Sequence, residues 1–305
     1  RDVASTGLAG ERLRDEFLKK RDGCVACPIR CGRHIQAAGR EGKGPEFETI
    51  GMMGNNLGVF DLEKLIELSW LCDDLGQDTI SCGNTLGFAT ELTERGMLKS
   101  SLRWGDFENY RRMVEEIAFR RGLGNELAEG VRRLSEKYGG KEFAIQVKGL
   151  ELPAYDPRSC VGQGLEYATS NRGGCHIRGS TMYLEATGPI SIDPHSTSSK
   201  PELVILQQNT NAAVSSLVMC YFSAYATIPA AVFKIDPNSF LYGVLMNLLG
   251  RSGPLLRLAL SSKTKVKVMW YEKLLSAVLG RDFGLGDMNE LGERIFNLER
   301  MYNLR

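Results

Sequence analysis

The sequence has almost no net charge, few histidines and no long hydrophobic run. Its 305 residues carry 38 Lys or Arg against 37 Asp or Glu, a formal net charge of +1. This balance gives no support for nucleic acid or an acidic membrane surface as a partner. No apolar run is long enough to span a bilayer, and the most apolar stretch, residues 212–231, lacks the flanking charges of a membrane anchor. Only three histidines are present, so acid–base chemistry has few candidates.

A secretory signal pattern, internal repeats and low-complexity segments are also missing. Hydrophobic residues make up 43% and charged residues 25%, an ordinary composition for a globular protein with room for two domains. Eight cysteines without a secretory signal indicate a reducing compartment, and we expect a cytoplasmic protein. Because the chain does not open with Met, residue 1 is not expected to be the native start.

Three of the cysteines lie close together, in the spacing C-x2-C-x3-C formed by Cys24, Cys27 and Cys31. Four thiolates hold an iron–sulfur cluster, so this spacing favours a cluster with one distant ligand. A structural zinc fits less well, because zinc ligands usually come as two matched pairs. Buried thiols without a metal are the remaining alternative. Pro28 predicts a helix that starts there, with Cys27 and Cys31 about one turn apart.

The fourth thiolate could come from any of the other cysteines, and the spacing does not choose among them. The candidates are Cys72, Cys82, Cys160, Cys175 and Cys220.

Hydrophobic periodicity predicts a mainly α protein of two helical domains, residues 1–150 and 151–305. Asp61 and Asp78 are predicted N-caps, and Gly76 is a predicted helix end. Residues 45–51 are predicted to be too short for a helix, and residues 143–178 to form strand and loop. The predicted helices include Leu8–Arg21, a helix from Asp61 to about Gly76, Asn109–Arg120, Asn125–Tyr138, Lys200–Ser223, Phe240–Leu249, Lys267–Leu279 and Met288–Met301.

Outside the cysteines, three short segments can carry chemistry, although each also has a plain structural interpretation. The segment Asp73–Asp78 is either two well-made helix ends or a set of groups that binds a polar heterocycle. The segment Asn171–Arg178 is a surface turn or a phosphate-binding loop, and it contains His176, the best acid–base candidate of the three histidines. Glu46 and Glu48 are solvated loop carboxylates, unless one is buried as a general base.

Four stretches, the last of which runs on into Gly164–Gly173, together closely resemble the tungsten-dependent aldehyde ferredoxin oxidoreductases. They span most of residues 24–180, and their joint match is specific, whereas little is recognisable beyond Cys220. These stretches are Cys24–Cys31, Gly44–Ile50, Cys72–Ser81 and Val147–Arg158.

The resemblance implies a bis-pterin tungsten or molybdenum centre beside a [4Fe–4S] cluster, in a cofactor cleft between the two helical domains. The implied enzyme belongs to an anaerobe, oxidises aldehydes and reduces ferredoxin or another electron acceptor. It implies Cys220 as the fourth cluster ligand, and Glu48 and His176 as catalytic residues beside the metal, with Glu46 as the alternative to Glu48. Two helix-end elements would hold the pterins. Their candidate contacts are Asp73, Gln77 and Asp78 in the first, and Ser215, Met219 and Tyr221 in the second.

Two departures from the family pattern stand out. In the second element Ser215 replaces an Asp and Val218 a Gly, so one pterin contact is expected to be weakened or altered. The family's N-terminal β-rich domain is not recognisable, so the chain resembles the helical second and third domains alone. That domain is expected in the full-length protein or as a separate chain.

Other functions remain open at this point. One alternative is a cluster-bearing electron-transfer or scaffold subunit, and another is the catalytic subunit of a complex like the tungsten benzoyl-CoA reductase. A homodimer is possible.

Overall fold

The structure, a computed structural model, describes residues 7–187, 192–222, 236, 239–259, 261, 263–267 and 270–305. The chain divides into two compact units, Arg1–Ala154 and Tyr155–Arg305. This division lies close to the boundary predicted after residue 150. The described residues are mostly helical, so the predicted fold class is confirmed. Within these residues, no helix combines the length and the apolar character that crossing a membrane requires.

The first unit combines helices with a small sheet. Two π-helical stretches, Leu13–Phe17 and Ile50–Asn55, continue the short helices Gly10–Arg12 and Phe47–Thr49. The helices are α1 Gly10–Arg12, α2 Phe47–Thr49, α3 Leu62–Asp74, α4 Thr79–Glu94, α5 Phe107–Ala118, α6 Gly124–Leu127 and α7 Gly130–Tyr138. The strands are β1 Leu18–Asp22, β2 Gly32–Ala37, β3 Arg40–Lys43, β4 Gln146–Val147 and β5 Leu150–Glu151.

Helices α3 and α4 begin where local side-chain caps predict. Asp61 accepts hydrogen bonds from the N–H groups of Glu63 (3.0 Å) and Lys64 (3.2 Å). Asp78 accepts one from the N–H of Ser81 (2.7 Å). Gly76 follows the end of α3 with a φ of +69°, a conformation that glycine adopts without steric cost. The two caps and the helix end are therefore confirmed.

Strands β1, β2 and β3 form an antiparallel sheet in that order. Ile35 and Ala37 of β2 are buried in one hydrophobic cluster with Trp70 of α3. The indole N–H of Trp70 also donates to the carbonyl of Lys43, over 2.7 Å. One face of the sheet is thus fixed against α3, which places the β1–β2 connection, residues 23–31, at the sheet's end.

The second unit is held together by close packing of its long helices. Its helices are α8 Val161–Thr169, α9 Lys200–Ser216, α10 Phe240–Gly250, α11 Gly253–Ala259, α12 Trp270–Leu279 and α13 Leu285–Asn303, with a π-helical stretch at Tyr183–Thr187. Helix α9 packs against α8, α11 and α13. At the α9–α13 crossing a Cβ on Gly292 would lie 1.9 Å from the carbonyl oxygen of Asn209, so only glycine permits this approach.

Several predicted elements are wrong or need new limits. The helix predicted over Leu8–Arg21 ends at Phe17, because the residues that follow pair with β2 as strand β1. Residues 45–51 are not a plain loop, since α2 and its π-helical extension start there. The predicted strand-and-loop region, residues 143–178, holds β4 and β5 but also helix α8.

Other helices differ from prediction mainly at their ends. The helix predicted over Asn125–Tyr138 is split into α6 and α7, where Gly130 has a φ of +81°. The predicted Lys200–Ser223 helix stops at Ser216, and its last predicted residue lies outside the described residues. Helix α12 begins at Trp270, and residues 268–269 of its predicted start also lie outside them.

Candidate functional site

The cysteine loop connects β1 to β2 and contains no helix. The strand pair closes at Asp22 and Gly32, so the residues between them are held as a loop. The N–H of Cys27 donates to the carbonyl of Cys24 (3.0 Å), which forms a turn. The helix predicted to start at Pro28 is therefore wrong, because closure of the hairpin sets the local conformation there.

The eight cysteines fall into two groups by burial. Cys24, Cys31 and Cys220 are exposed and Cys27 is half-buried. The other four, Cys72, Cys82, Cys160 and Cys175, are all buried. Cysteine without a metal or disulfide is usually buried, so a group of accessible thiols fits residues that bind an external group. Across the described ranges, no three His, Cys, Asp or Glu side chains are grouped as a metal ion requires.

Glu48 lies on α2 and is half-buried. Its Oε2 accepts a 2.7 Å hydrogen bond from the N–H of Ala154, at the end of the same unit. Burial raises the pKa of Glu48 to about 7; the nearby Asp78 carboxylate adds to the rise and the Ala154 hydrogen bond opposes it. A hydrogen bond of 2.9 Å between the hydroxyls of Thr49 and Thr79 fixes α2 against the start of α4. Glu48 and Asp78 are thus brought near each other.

Glu46, the alternative base, has a different environment. It is exposed and forms ion pairs with Arg33 (2.9 Å) and Lys43 (3.1 Å), both on the small sheet. Both cations hold the Glu46 carboxylate at the exposed surface of the sheet, whereas Glu48 is half-buried. The geometry therefore favours Glu48 over Glu46 as a proton acceptor at neutral pH.

The end of α3 presents the first candidate pterin element. Asp73 and Asp78 are exposed, whereas the Gln77 side chain donates to the carbonyl of Val114 (2.7 Å). Asp74, between them, is occupied by Arg40 in a two-point ion pair of 2.6 and 2.9 Å. A cavity of about 310 Å³ lies beside this helix end, and its lining includes Gln77, Asp78, Ser81, Gly130 and Glu151.

Glu151 was not predicted as a site residue. It is buried, and its carboxylate accepts hydrogen bonds from the N–H of Val131 and the hydroxyl of Ser81, both over 2.9 Å. It thereby connects the starts of α4 and α7 around the cavity. Its position in the stretch Val147–Arg158, one of those that carry the family resemblance, was the available signal.

The end of α9 presents the second candidate element. Ser215 is exposed, and Met219 and Tyr221 are half-buried. Burial raises the pKa of Tyr221 to about 12, although hydrogen bonds with Ser180 and Asn211 oppose the rise. Tyr221 is therefore a neutral hydroxyl at physiological pH, in contact with the turn that carries the predicted histidine.

His176 lies in a tight turn, with its ring 5.7 Å from the ring of Tyr155. Its carbonyl accepts a 2.8 Å hydrogen bond from the Ser180 hydroxyl. Asn211 of α9 donates to the carbonyl of the next residue, Ile177, over 3.0 Å. The turn is thus fixed at two of its carbonyls by side chains.

Glu166 of α8 completes this arrangement and was also not predicted. It is fully buried and accepts hydrogen bonds from the N–H groups of Gly179 (2.6 Å) and Thr181 (2.9 Å) and from the Thr181 hydroxyl (3.1 Å). Burial raises its pKa to about 6, against these hydrogen bonds. Its position in Gly164–Gly173, where the family resemblance runs on, was the available sequence signal.

Comparison with known proteins gives the family. Residues 2–305 match the family model described as aldehyde ferredoxin oxidoreductase, domains 2 and 3. A tungsten-containing aldehyde ferredoxin oxidoreductase of Pyrococcus furiosus is 39% identical over 308 residues, which cover 97% of this chain and 44% of that protein. One from Thermococcus kodakarensis is 38% identical with the same coverage. The chain belongs to the aldehyde ferredoxin oxidoreductase family, and it spans less than half the length of these relatives.

A solved structure is also similar. It is the active site complex BamBC of benzoyl coenzyme A reductase in complex with 1,5-dienoyl-CoA, with a TM-score of 0.55 and 19% identity over 96% of this chain and 46% of that one. At this identity the similarity establishes the fold alone.

Proposed function

We propose that this chain is the helical, cofactor-holding part of a tungsten- or molybdenum-dependent enzyme that oxidises aldehydes to carboxylates. Electrons would pass through a [4Fe–4S] cluster to ferredoxin or another acceptor. Family membership along the whole chain and 39% identity to a tungsten-containing relative support this proposal. In it, the two compact units are the family's second and third domains.

The observation that carries the proposal is the environment of Glu48. Oxidation of an aldehyde and a water molecule to a carboxylate releases two electrons and three protons, so the site needs a proton acceptor. A carboxylate with a pKa near 7 is poised for that role at neutral pH. The Ala154 N–H orients one oxygen of Glu48, and the carboxylate can hold and release a proton without leaving its place.

His176 is the proposed second catalytic residue. A histidine N–H near the aldehyde oxygen would polarise the carbonyl, since hydrogen-bond donors stabilise the negative charge that develops there. The side-chain hydrogen bonds to the carbonyls of His176 and Ile177 limit the movement of the turn, which favours a fixed donor. Glu48 belongs to the first unit and His176 to the second.

The four accessible cysteines are the proposed cluster ligands. The thiolates of Cys24, Cys27, Cys31 and Cys220 supply the four ligands that a [4Fe–4S] cluster needs. Their accessibility supports the assignment, because the four remaining cysteines are buried within their units.

The two helix ends are proposed to hold the pterins. When bound, the tungsten–pterin centre accepts the two electrons of the oxidation. In the first element, the exposed Asp73 and Asp78 can accept hydrogen bonds from the heterocycle, and Gln77 lies beside them. In the second element, the equivalent position would be lined by Ser215, Met219 and Tyr221. The neutral Tyr221 hydroxyl can donate or accept there, whereas Ser215 offers a weaker acceptor than a carboxylate.

The test is aldehyde oxidation by the intact protein, purified without oxygen and assayed with a viologen dye. We expect Glu48→Gln to lower kcat about 100-fold or more with little change in KM, because proton transfer occurs only in the transition state. Glu46→Gln is the matched control and should stay within about twofold of the wild type. An unchanged kcat in Glu48→Gln rejects the assignment, and a large loss in Glu46→Gln alone moves the role to that residue.

Metal content separates the alternatives. Tungsten or molybdenum with pterin supports an enzyme, whereas an iron–sulfur cluster alone indicates an electron-transfer or scaffold subunit. A benzoyl-CoA-reductase-like role would show reduction of an aromatic thioester in place of aldehyde oxidation.

A further inference from the structure

The two halves of α13 have different surroundings. All of the buried residues of this helix lie in its first half, and they are Gly286, Met288, Asn289 and Gly292. In the second half, Leu298 is 56% exposed and Met301 is 62% exposed. Burial in the core therefore does not explain why the helix continues to Asn303.

The second half of α13 instead binds the His176 turn, residues 171–178. Asn171 donates its side-chain amide to the carbonyl of Phe296 (2.7 Å), and Asn303 donates to the carbonyl of Asn171 (2.8 Å). At the other end of the turn, Arg178 donates to Glu299 in an ion pair of 3.1 Å. Within the described part of the chain, every side-chain hydrogen bond of residues 293–303 goes to this turn. Phe296, Glu299 and Asn303 are three and four residues apart, so they share one face of the helix.

Glu299 reaches both ends of the turn. Its Oε1 accepts the hydrogen bond from Arg178, and its Oε2 lies 3.5 Å from the amide nitrogen of Asn171, at the long limit of a hydrogen bond. The side chains of Arg178 and Glu299 are each about one-third exposed, at 33% and 34%. An ion pair that keeps this much contact with water contributes little to stability. Its main effect is therefore on the position of the turn.

Helix α13 can hold the turn in place because the helix is itself fixed. Asn209 of α9 donates to the side chain of Asn289 in a buried contact of 2.7 Å, close to the tight approach at Gly292. From the same helix α9, Asn211 donates to the carbonyl of Ile177. The turn is thus bound at both ends by α13 and between those ends by α9.

We propose that Glu299 is a positioning residue for the oxidation, because its contacts with Arg178 and Asn171 fix the turn and so fix where the His176 imidazole lies. The inference rests on the proposed function, since it takes His176 as the donor that polarises the aldehyde carbonyl. A misplacement of a catalytic group by about 1 Å can cost about 100-fold in rate. Loss of the Glu299 contacts should therefore lower kcat while the fold stays intact.

The test uses the intact protein, purified without oxygen and assayed for aldehyde oxidation with a viologen dye. Glu299→Ala removes both contacts, and Glu299→Gln keeps an acceptor oxygen for Arg178. Glu293→Ala is the matched control, because Glu293 is an exposed glutamate of the same helix that forms no ion pair with any described residue. Each variant is also made in a His176→Gln background, since a positioning residue has no further effect once the group that it positions is gone. Hydrogen exchange of peptides covering residues 171–180 and thermal unfolding are measured on the same proteins.

We expect Glu299→Ala to lower kcat about tenfold or more, with KM within about twofold of the wild type. Glu299→Gln should recover part of this loss, and Glu293→Ala should match the wild type. In the His176→Gln background, Glu299→Ala should change kcat by less than about twofold. Exchange in residues 171–180 should become faster in Glu299→Ala, with little change in the thermal midpoint.

Equal losses of kcat in the two backgrounds, or unchanged exchange in Glu299→Ala, overturn the inference. An unchanged kcat in His176→Gln rejects the role of the histidine and the inference with it. Absence of aldehyde-dependent dye reduction in the wild type rejects the proposed function. In that case the exchange measurement alone decides whether Glu299 fixes the turn.

Discussion

Gly76 and Val218 occupy the same position in two matching helix ends. Each is the second residue after its helix, with a φ of +69° in Gly76 and +56° in Val218. In each case the residue that follows donates its backbone N–H to the carbonyl five positions earlier. Gln77 donates to Cys72 over 2.8 Å, and Met219 donates to Val214 over 3.4 Å. The second element therefore keeps the backbone of the first, although a β-branched residue replaces glycine.

This match makes Val218→Gly a stabilising change. A left-handed conformation costs a non-glycine residue about 1–2 kcal/mol, and the extra freedom of glycine in the unfolded chain offsets part of the gain. We expect the free energy of unfolding to rise by about 1 kcal/mol, measured by denaturant unfolding.

The reciprocal variant, Gly76→Val, is the control. A Cβ at Gly76 would meet nothing within 4 Å, so a loss there reports backbone conformation alone. We expect it to lower the free energy of unfolding by about 1–2 kcal/mol. If Val218→Gly is instead destabilising, the two helix ends are not equivalent.

Glu48 should make stability depend on pH. Its folded pKa of about 7 lies above the ordinary value of 4.5, so its stabilising contribution is complete below pH 4.5 and is lost as the pH rises through 7. Glu48→Gln keeps an acceptor for the Ala154 N–H without the buried charge. Relative to the wild type, the variant should gain stability between pH 5 and 8, by at most about 3 kcal/mol. Unfolding curves at several pH values, with Glu46→Gln as the control, measure this difference. A difference that does not change with pH contradicts the assignment.

Glu166 should be required for order in the His176 turn. Glu166→Ala leaves two buried N–H groups, those of Gly179 and Thr181, without an acceptor, which we expect to cost about 3 kcal/mol. Glu166→Gln retains one acceptor oxygen and should cost less. Hydrogen exchange of these two amides is the specific readout, because it reports the turn and not the whole unit. Unchanged protection in Glu166→Ala shows that other contacts hold the turn.

The burial of the cysteines predicts two classes of reactivity. In metal-free, reduced protein, Cys24, Cys27, Cys31 and Cys220 should react quickly with a maleimide, and the four buried thiols only after unfolding. Mass spectrometry of the labelled peptides distinguishes the classes, and Cys24→Ser should remove one fast site. In anaerobically purified protein, we expect the bound cluster to protect the fast-reacting cysteines from the maleimide. Rapid labelling of Cys72 or Cys160 in folded protein contradicts the assignment.

Features that depend on neighbouring residues could be predicted from the sequence. The caps of Asp61 and Asp78 each involve a backbone N–H two or three positions away, so the local pattern contains the whole interaction. The helix end at Gly76 is equally local, since it depends on the conformation of one residue.

Features that depend on distant partners could not be predicted. Strand β1 is a charged run without alternation, and it becomes a strand only by pairing with β2. Helix α8 begins in a glycine-containing segment, where the buried carboxylate of Glu185 accepts hydrogen bonds from the N–H groups of Gly162 and Gln163. Lys200 neutralises that carboxylate in an ion pair. Likewise, the hydrogen bond that orients Glu48 comes from Ala154, more than a hundred residues away in the chain.

The most direct measurement is the metal content of the intact protein after purification without oxygen. The account predicts tungsten or molybdenum together with pterin, and about four irons and four sulfides per chain. In Cys220→Ser the iron should fall, whereas in Cys72→Ser it should not. Iron without tungsten, molybdenum or pterin, or a full cluster retained in Cys220→Ser, would contradict the account.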